Sequence, residues 1–247
     1  MVCLNVLGQP VGESLSEWRP PAAPRRVVLS GQWTCLEPLQ LDRHAASLHA
    51  ANCREASGRH WTYLSYGPFA SESDYRQWLH NQCLGNDPLF YAVVPQEAGE
   101  ALGLAAYLRI APAGGCLEIG HLHFSPGLQR RIAASEAIYL LLKHAFDLGY
   151  RRVEWKCDAL NAPSRAAAER FGLSFEGIFR QATVVKGRNR DTAWYAVIDG
   201  EWPSLQSAFV RWLQPDNFDR AGRQRLALSA LTRPLLAERL RTTASGK

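Results

Sequence analysis

Residues 124 to 148 read FSPGLQRRIAASEAIYLLLKHAFDL, and this stretch most restricts the folds open to the chain. Apolar residues recur at Ala134, Ala137, Ile138, Leu141, Ala145 and Leu148, in the three- and four-residue steps of one helix face. Gly149 suits the helix end. Just upstream, Glu118 to Phe124 reads as a strand, broken by Ser125-Pro126-Gly127. A strand feeding a helix through a short loop leaves the first helical N–H groups without intrahelical partners. Together with the helix dipole they form an anion site.

The rest of the chain supplies a mixed sheet and its cover. Strands are expected at 27–29 with 33–36, 90–94, 101–110, 116–124, 153–157, 175–186 and 192–198. Helices are expected from Asp42, as cap, to Arg54, from Ser71 or Ser73 through Leu79, from Asn161 to Phe171, and from Trp202 to Leu213. A further short helix is expected around 226–236, followed by a mobile polar tail. Residues 1–26, rich in Pro and polar side chains, read as an extended arm packing on the domain through Trp18. The order implies a mixed sheet covered by helices.

A hydrophobic content of 47% with eight Trp supports a full core and excludes wholesale disorder. The net charge of +5 is spread out, apart from Arg130-Arg131, Arg151-Arg152 and the turn 186–190, so a nucleic-acid partner is not expected. No apolar run is long enough to span a membrane, and the first residues lack the charged start of a signal peptide. The six Cys show no CxxC and no zinc spacing, which fits reduced thiols in a cytoplasmic protein and no metal. His44 and His49, five apart, do not share a helix face.

These elements, in this order, resemble the GNAT superfamily of acetyltransferases, and within it the RimJ/RimL-like group. Gln129-Arg130-Arg131-Ile132-Ala133-Ala134 sits in the frame of the phosphate-loop pattern Q/R-x-x-G-x-G/A, and Ala134-Ser135-Glu136-Ala137 resembles the ATEA that follows it. Leu117-Glu118-Ile119-Gly120 is similar to the AEIGY strand, and Asn161 to Ser164 with Arg170 to Leu173 is similar to the NxxS…GF helix. The resemblance covers about residues 27–213, leaving an arm at 1–26 and a helical extension and tail at 214–247. It implies an α/β (mixed α+β) fold, a central, mostly antiparallel sheet flanked by helices. It also implies an N-acetyltransferase that moves acetyl from acetyl-CoA to a primary amine of a small molecule or a protein N-terminus, with homodimers common among similar proteins. Two departures stand out: Ile132 occupies the usual Gly position, and Ala168 occupies the slot of a Tyr acid. They keep open the alternative of a catalytically weak or inactive acyl-CoA-binding regulatory protein.

On this resemblance, coenzyme A lies across splayed strands, at Leu122, His123 and Phe124 and at 153–157, with its pyrophosphate at Gln129, Arg130, Arg131, Ile132, Ala133 and Ala134 and with Ser135 beside it. Transfer to an amine needs a base, a polarised carbonyl and a proton for the departing thiolate. Glu118 is the candidate base or else an exposed strand carboxylate, with His121 and His123 as further titratable groups. Strand alternation places 121 and 123 opposite Glu118 unless a bulge intervenes. Ser164 either faces the sulfur or only opens a helix, and Asn161 either binds pantetheine or caps it. Trp61, Tyr63 and Tyr66 are either core or the wall of an acceptor pocket. The basic turn 186–190 either meets an acidic acceptor or is a solvated hairpin tip.

Overall fold

The computed structural model describes residues 3–245. Its centre is an eight-stranded sheet in the order β3-β4-β5-β6-β7-β8-β10-β9, formed by β3 (Leu29–Ser30), β4 (Thr34–Pro38), β5 (Leu89–Pro95), β6 (Gly103–Ala111), β7 (Cys116–Phe124), β8 (Arg152–Asp158), β9 (Ser174–Val185) and β10 (Arg188–Ile198). All neighbours are antiparallel except β7 and β8. That parallel pair requires a crossover, and α3 (Ile132–Asp147) supplies it. Helices α1 (Leu41–Asn52) and α2 (Glu72–Gln82) cover one face of β4 to β7. On the other face pack α3, α4 (Ala162–Arg170), α5 (Trp202–Trp212) and α6 (Leu228–Ser245).

The sheet separates two cores. On β5, Leu89, Tyr91 and Val93 join the α3 side, whereas Phe90, Ala92 and Val94 join the α1–α2 side. The strand is buried on both faces, so its sequence is a continuous apolar run rather than an alternation. The small hairpin of β1 (Cys3–Leu4) and β2 (Pro10–Val11) was not legible in the polar N-terminal arm. Trp18, further along that arm, rests against Arg151 and over Gly115.

Several local expectations are corrected. Asp42 is not the cap of α1; Gln40 is, without a side-chain bond, and Asp42 instead pairs with Arg76. The β9–β10 turn is only Lys186-Gly187, both at positive φ as a two-residue hairpin turn demands, so Arg188 to Asp191 belong to β10. In place of a short helix and a mobile tail, α6 runs to Ser245 through Pro234, and residues 246–247 lie outside the described part.

One buried carboxylate ties the two ends of the fold together. Glu136, 3% exposed on the second turn of α3, accepts from the amides of Gln32 (2.8 Å), Trp33 (2.6 Å) and Thr34 (2.7 Å). Burial pushes its carboxyl up, and the three amides pull it back down. The turn comes this close because residue 31 is glycine: a Cβ there would lie 2.4 Å from the Glu136 carboxyl carbon. Glu136→Ala leaves three amides without an acceptor and is expected to cost about 3 kcal/mol in urea unfolding. Gly31→Ala is expected to cost about 2 kcal/mol through overpacking.

Candidate active site

The site begins where β7 and β8 stop pairing. Their ladder holds Cys116 to Arg152, Leu117 to Val153 and Glu118 to Glu154, and then ends. Both strands continue, β7 to Phe124 and β8 to Asp158, as the two walls of a wedge. The cause lies in β7. Gly120 faces Ala106 of β6 and His123 faces Leu104, so three steps on β7 match two on β6. The extra residue is a β-bulge at His121, whose φ is +49°. A bulge bends its strand and breaks the ladder locally.

The bulge also reverses the alternation. Leu117 and Ile119 pack on the α3 side, and after the bulge so do Leu122 and Phe124. Glu118 and Gly120 face the α1–α2 side, where a Cβ on Gly120 would meet Glu118 and Leu108. His121 lies there too, its Nδ1 3.2 Å from the Tyr66 hydroxyl and its ring against Phe90. His123 is stacked on Trp61 at 3.7 Å, beside His60. The expected separation of Glu118 from the two histidines is therefore overturned: all three share one face. Burial lowers His121 to about 4 and His123 to about 3, with Arg109 and His60 adding to the effect, so both rings are neutral at physiological pH.

Glu118 is not an exposed strand carboxylate; it is 4% exposed. Its Oε2 takes two cations, Arg109 at 2.6 Å and Lys156 at 3.0 Å. Lys156 also contacts Glu154 at 2.6 Å and stands 3.7 Å over the Trp194 ring. The other oxygen, Oε1, accepts no hydrogen bond among the described residues and looks over Gly120, where an added Cβ would lie 3.3 Å away. Burial raises the carboxyl and the two cations oppose it.

On the α3 side of the wedge stand the groups at the opening of α4. Asn161 caps the helix, its Oδ1 accepting from the Ser164 amide at 3.1 Å. Trp155 of β8 donates its indole N–H to Ser164 Oγ at 3.0 Å, so the serine proton is free to point elsewhere. The Cys157 thiol nearby is pushed up by burial, with a bond to Ser164 opposing. Ala168 is fully buried in the core, so this position carries packing and not chemistry.

The third part is the start of α3. Helices α2 and α4 are capped by Ser71 and Asn161, but at α3 the cap position is Arg131 and makes no side-chain bond. Among the described residues, nothing accepts from the amides of Ile132, Ala133 or Ala134. The loop before it is closed internally, by Leu128 and Gln129 amides on the Ser125 carbonyl and by Gln129 Nε2 on the Phe124 carbonyl at 2.8 Å. The left-handed residue of this loop is Arg130, at φ +62°, two positions before Ile132, which simply begins the helix. Arg130 and Arg131 are exposed, whereas Ser135 is 5% exposed and its hydroxyl accepts from Arg170 at 3.0 Å.

Two contacts roof the α1–α2 side. Tyr63 donates to the Leu160 carbonyl at 3.1 Å, and Lys186 of the hairpin turn donates to the Trp61 carbonyl at 2.9 Å. Trp61 is buried, Tyr66 is half-buried over His121, and Tyr63 crosses the wedge. Arg109, Lys156 and Glu136 carry much of this geometry and were not singled out from sequence. The only signal for Glu136 was the ATEA-like match around it.

Known proteins agree with this architecture. Residues 34–174 match the acetyltransferase (GNAT) domain. A GCN5-related N-acetyltransferase from Brucella melitensis is 46% identical, with a TM-score of 0.87 over 89% of this chain and 100% of its own. The uncharacterised N-acetyltransferase p20 of Bacillus licheniformis is 26% identical over 148 residues, covering 57% of this chain and 80% of its own. RimL, a ribosomal alpha-N-protein acetyltransferase solved in complex with coenzyme A, is 22% identical with a TM-score of 0.58 over 70% of this chain and 99% of its own, and shares the fold. With more than half of its length matching the domain, this chain belongs to the GNAT family of acetyltransferase enzymes.

Proposed function

We propose that the protein moves an acetyl group from acetyl-CoA to a primary amine, on a small molecule or a peptide N-terminus, by direct attack on the thioester. One observation carries the reading: the open wedge has a free carboxylate oxygen, Glu118 Oε1, on one face of the sheet and the Ser164 hydroxyl on the other. An acyl group held in the gap is exposed to an amine from one side and to a proton donor for sulfur from the other. The amine nitrogen bonds to the carbonyl carbon and gives its proton, through water, to Glu118 Oε1. The C–S bond breaks, and the thiolate takes its proton through Ser164, which relays one from solvent water and keeps its own hydroxyl. Main-chain amides on the β8 edge of β7 between Leu122 and Phe124, beyond the end of the β7–β8 ladder, polarise the carbonyl. The unpartnered amides of Ile132, Ala133 and Ala134, with Gln129, Arg130 and Arg131 around them, hold the pyrophosphate. Ser135 stands behind them in its contact with Arg170, and Asn161 acts by fixing the start of α4 under Ser164.

The acceptor enters on the α1–α2 side, between Tyr66 with His121 and the wall formed by Lys156 and Trp194. The links from Tyr63 to Leu160 and from Lys186 to Trp61 roof this route, which favours a slender chain end or a small amine over a side chain on a folded surface. RimL, whose name states an α-amino protein substrate and which was solved with coenzyme A, supports both the donor and the acceptor class.

Ala134→Asp, which sets a carboxylate beside the pyrophosphate, is expected to abolish coenzyme A binding in calorimetry. The doubly exposed reversal Arg130→Glu with Arg131→Glu is expected to weaken it about tenfold at low salt while leaving the melting temperature unchanged. Unaltered affinity in both would remove the anion site from α3.

Glu118→Gln is expected to lower kcat about 10²-fold, with the KM for acetyl-CoA little changed. The Glu118 pKa is raised above the ordinary 4.5, so its charged form is lost as pH falls through that raised value. The acid limb of kcat/KM is therefore expected above pH 4.5 and is expected to vanish in Glu118→Gln. An acid limb that survives the substitution rules Glu118 out as the base. Measurable coenzyme A binding without thiol release across a broad amine panel would instead favour an acyl-CoA-binding regulatory role.

A further inference from the structure

A second cavity of about 250 Å³ lies on the α1–α2 side, away from the wedge, between the end of α1 and the segment leading to α2. Its walls include the rings of Trp61, Phe69 and Tyr75, and its floor includes Asn52. Asn52, the last residue of α1, is 6% exposed, and neither its amide oxygen nor its amide nitrogen has a hydrogen-bond partner. Tyr75 is fully buried, and its hydroxyl meets no partner at good hydrogen-bond geometry. Burial raises its pKa, although the Asn52 amide lies near enough to pull it back down as a hydrogen-bond partner would. Buried polar atoms left without partners cost free energy, and native structures hold few of them. Even with the Asn52 amide and the Tyr75 hydroxyl turned to each other, the amide keeps a buried atom without a partner, and in an aromatic-walled cavity that atom points to a bound group that supplies the missing bond.

The chemistry of the walls selects that group. The one carboxylate in the lining, Glu55, is already committed to Ser57, Arg59 and His60, and the one imidazole, His49, faces the Cys53 sulfur, so a charged ligand would lose its hydration without finding a free opposite charge. An Asn side chain presents a donor and an acceptor side by side, which fits the edge of a carboxamide or a nucleobase. The rings supply flat apolar faces. We infer that this cavity is a binding site for a small, neutral, planar molecule bearing an adjacent donor and acceptor, with Asn52 reading that edge and Tyr75 adding one bond. The site is distinct from the wedge, but Trp61 belongs to both: its ring lines the cavity and also stacks on His123 of β7.

The probes are nicotinamide and adenine, with nicotinate as a charged control of the same shape as nicotinamide. Protein-observed NMR titration of the full chain is expected to show saturable binding of at least one neutral probe at millimolar concentration. Nicotinate is expected to bind at least about tenfold more weakly. Asn52→Leu is expected to reduce affinity for the neutral probe by about tenfold or more, and Tyr75→Phe by a few-fold. Because Asn52→Leu removes an unpartnered buried amide, it is expected to melt no lower than the parent. A soaked crystal should place the probe edge on Asn52. The inference is overturned if neither neutral probe saturates, if Asn52→Leu binds as the parent does, if that variant melts lower, or if a crystal shows only ordered water on the amide.

Discussion

A parallel ladder that stops after three residue pairs leaves both strands with main-chain groups that the protein itself does not satisfy. In a sheet interior that is a defect, and at the centre of eight strands it is a site. The origin is a single extra residue. His121, held at positive φ, lets β7 slip by one step against β6 and turn away from β8. A bulged residue other than glycine in the left-handed region carries strain of about 1 kcal/mol. Contacts on both sides hold it there: the Tyr66 hydroxyl on the ring nitrogen, and Phe90 beneath the ring. The same slip brings the histidines onto the face of Glu118, so one backbone irregularity both opens the wedge and assembles its wall.

The wedge needs rigid sides to be useful, and the charges near its apex supply one. Arg109, Glu118, Lys156, Glu154, Arg152 and Glu176 alternate in sign across β6, β7, β8 and β9. Lys156 is 7% exposed, so desolvation of its ammonium is offset only because two carboxylates and the Trp194 face surround it. Both cations on Glu118 address Oε2. The carboxylate is thereby fixed in direction while Oε1 stays available, which separates the anchoring of the group from its reactivity. At the other side, Glu136 fixes α3 to the turn at residues 31–34. The unpartnered first turn of α3 therefore faces a constant direction.

The order of elements was legible because it rests on local signals. The run from Ala134 to Leu148 has helical period, Pro163 after Asn161 marks a helix start, and the residues from Cys116 to Phe124 are bounded by turn formers. The loop before α3 was legible for the same reason. The bulge was not, because nothing in Cys116 to Phe124 distinguishes nine residues of even strand from nine with one inserted step; the slip is set by pairing with β6, which is non-local. Long-range partners were equally hidden. Arg109 reaches across to Glu118, and Glu136 reaches a turn about a hundred residues away. The Lys186 turn faces the Trp61 carbonyl rather than solvent alone, and only the folded sheet brings the two together.

The placement of Ser164 and Glu118 on opposite faces follows from regular alternation at Glu118 and from the start of α4, and has a chemical consequence. Amine attack releases a proton and thiolate departure consumes one, so the two groups serve different steps and each needs its own side of the gap. The sheet keeps them apart: Trp155 and the cap at Asn161 hold Ser164 on the α3 side, and Arg109 with Lys156 holds Glu118 on the other. Contact between the two sides runs through the gap beyond Glu118 and Glu154, where the strands no longer pair and an acyl group would sit. Were β7 an even strand with no bulge at His121, alternation from Ile119 would put His121 and His123 on the α3 face, continue the ladder past Glu118, and seal the acid from the base. The catalytic capacity of this fold is therefore a property of β7 backbone register as much as of any side chain it carries.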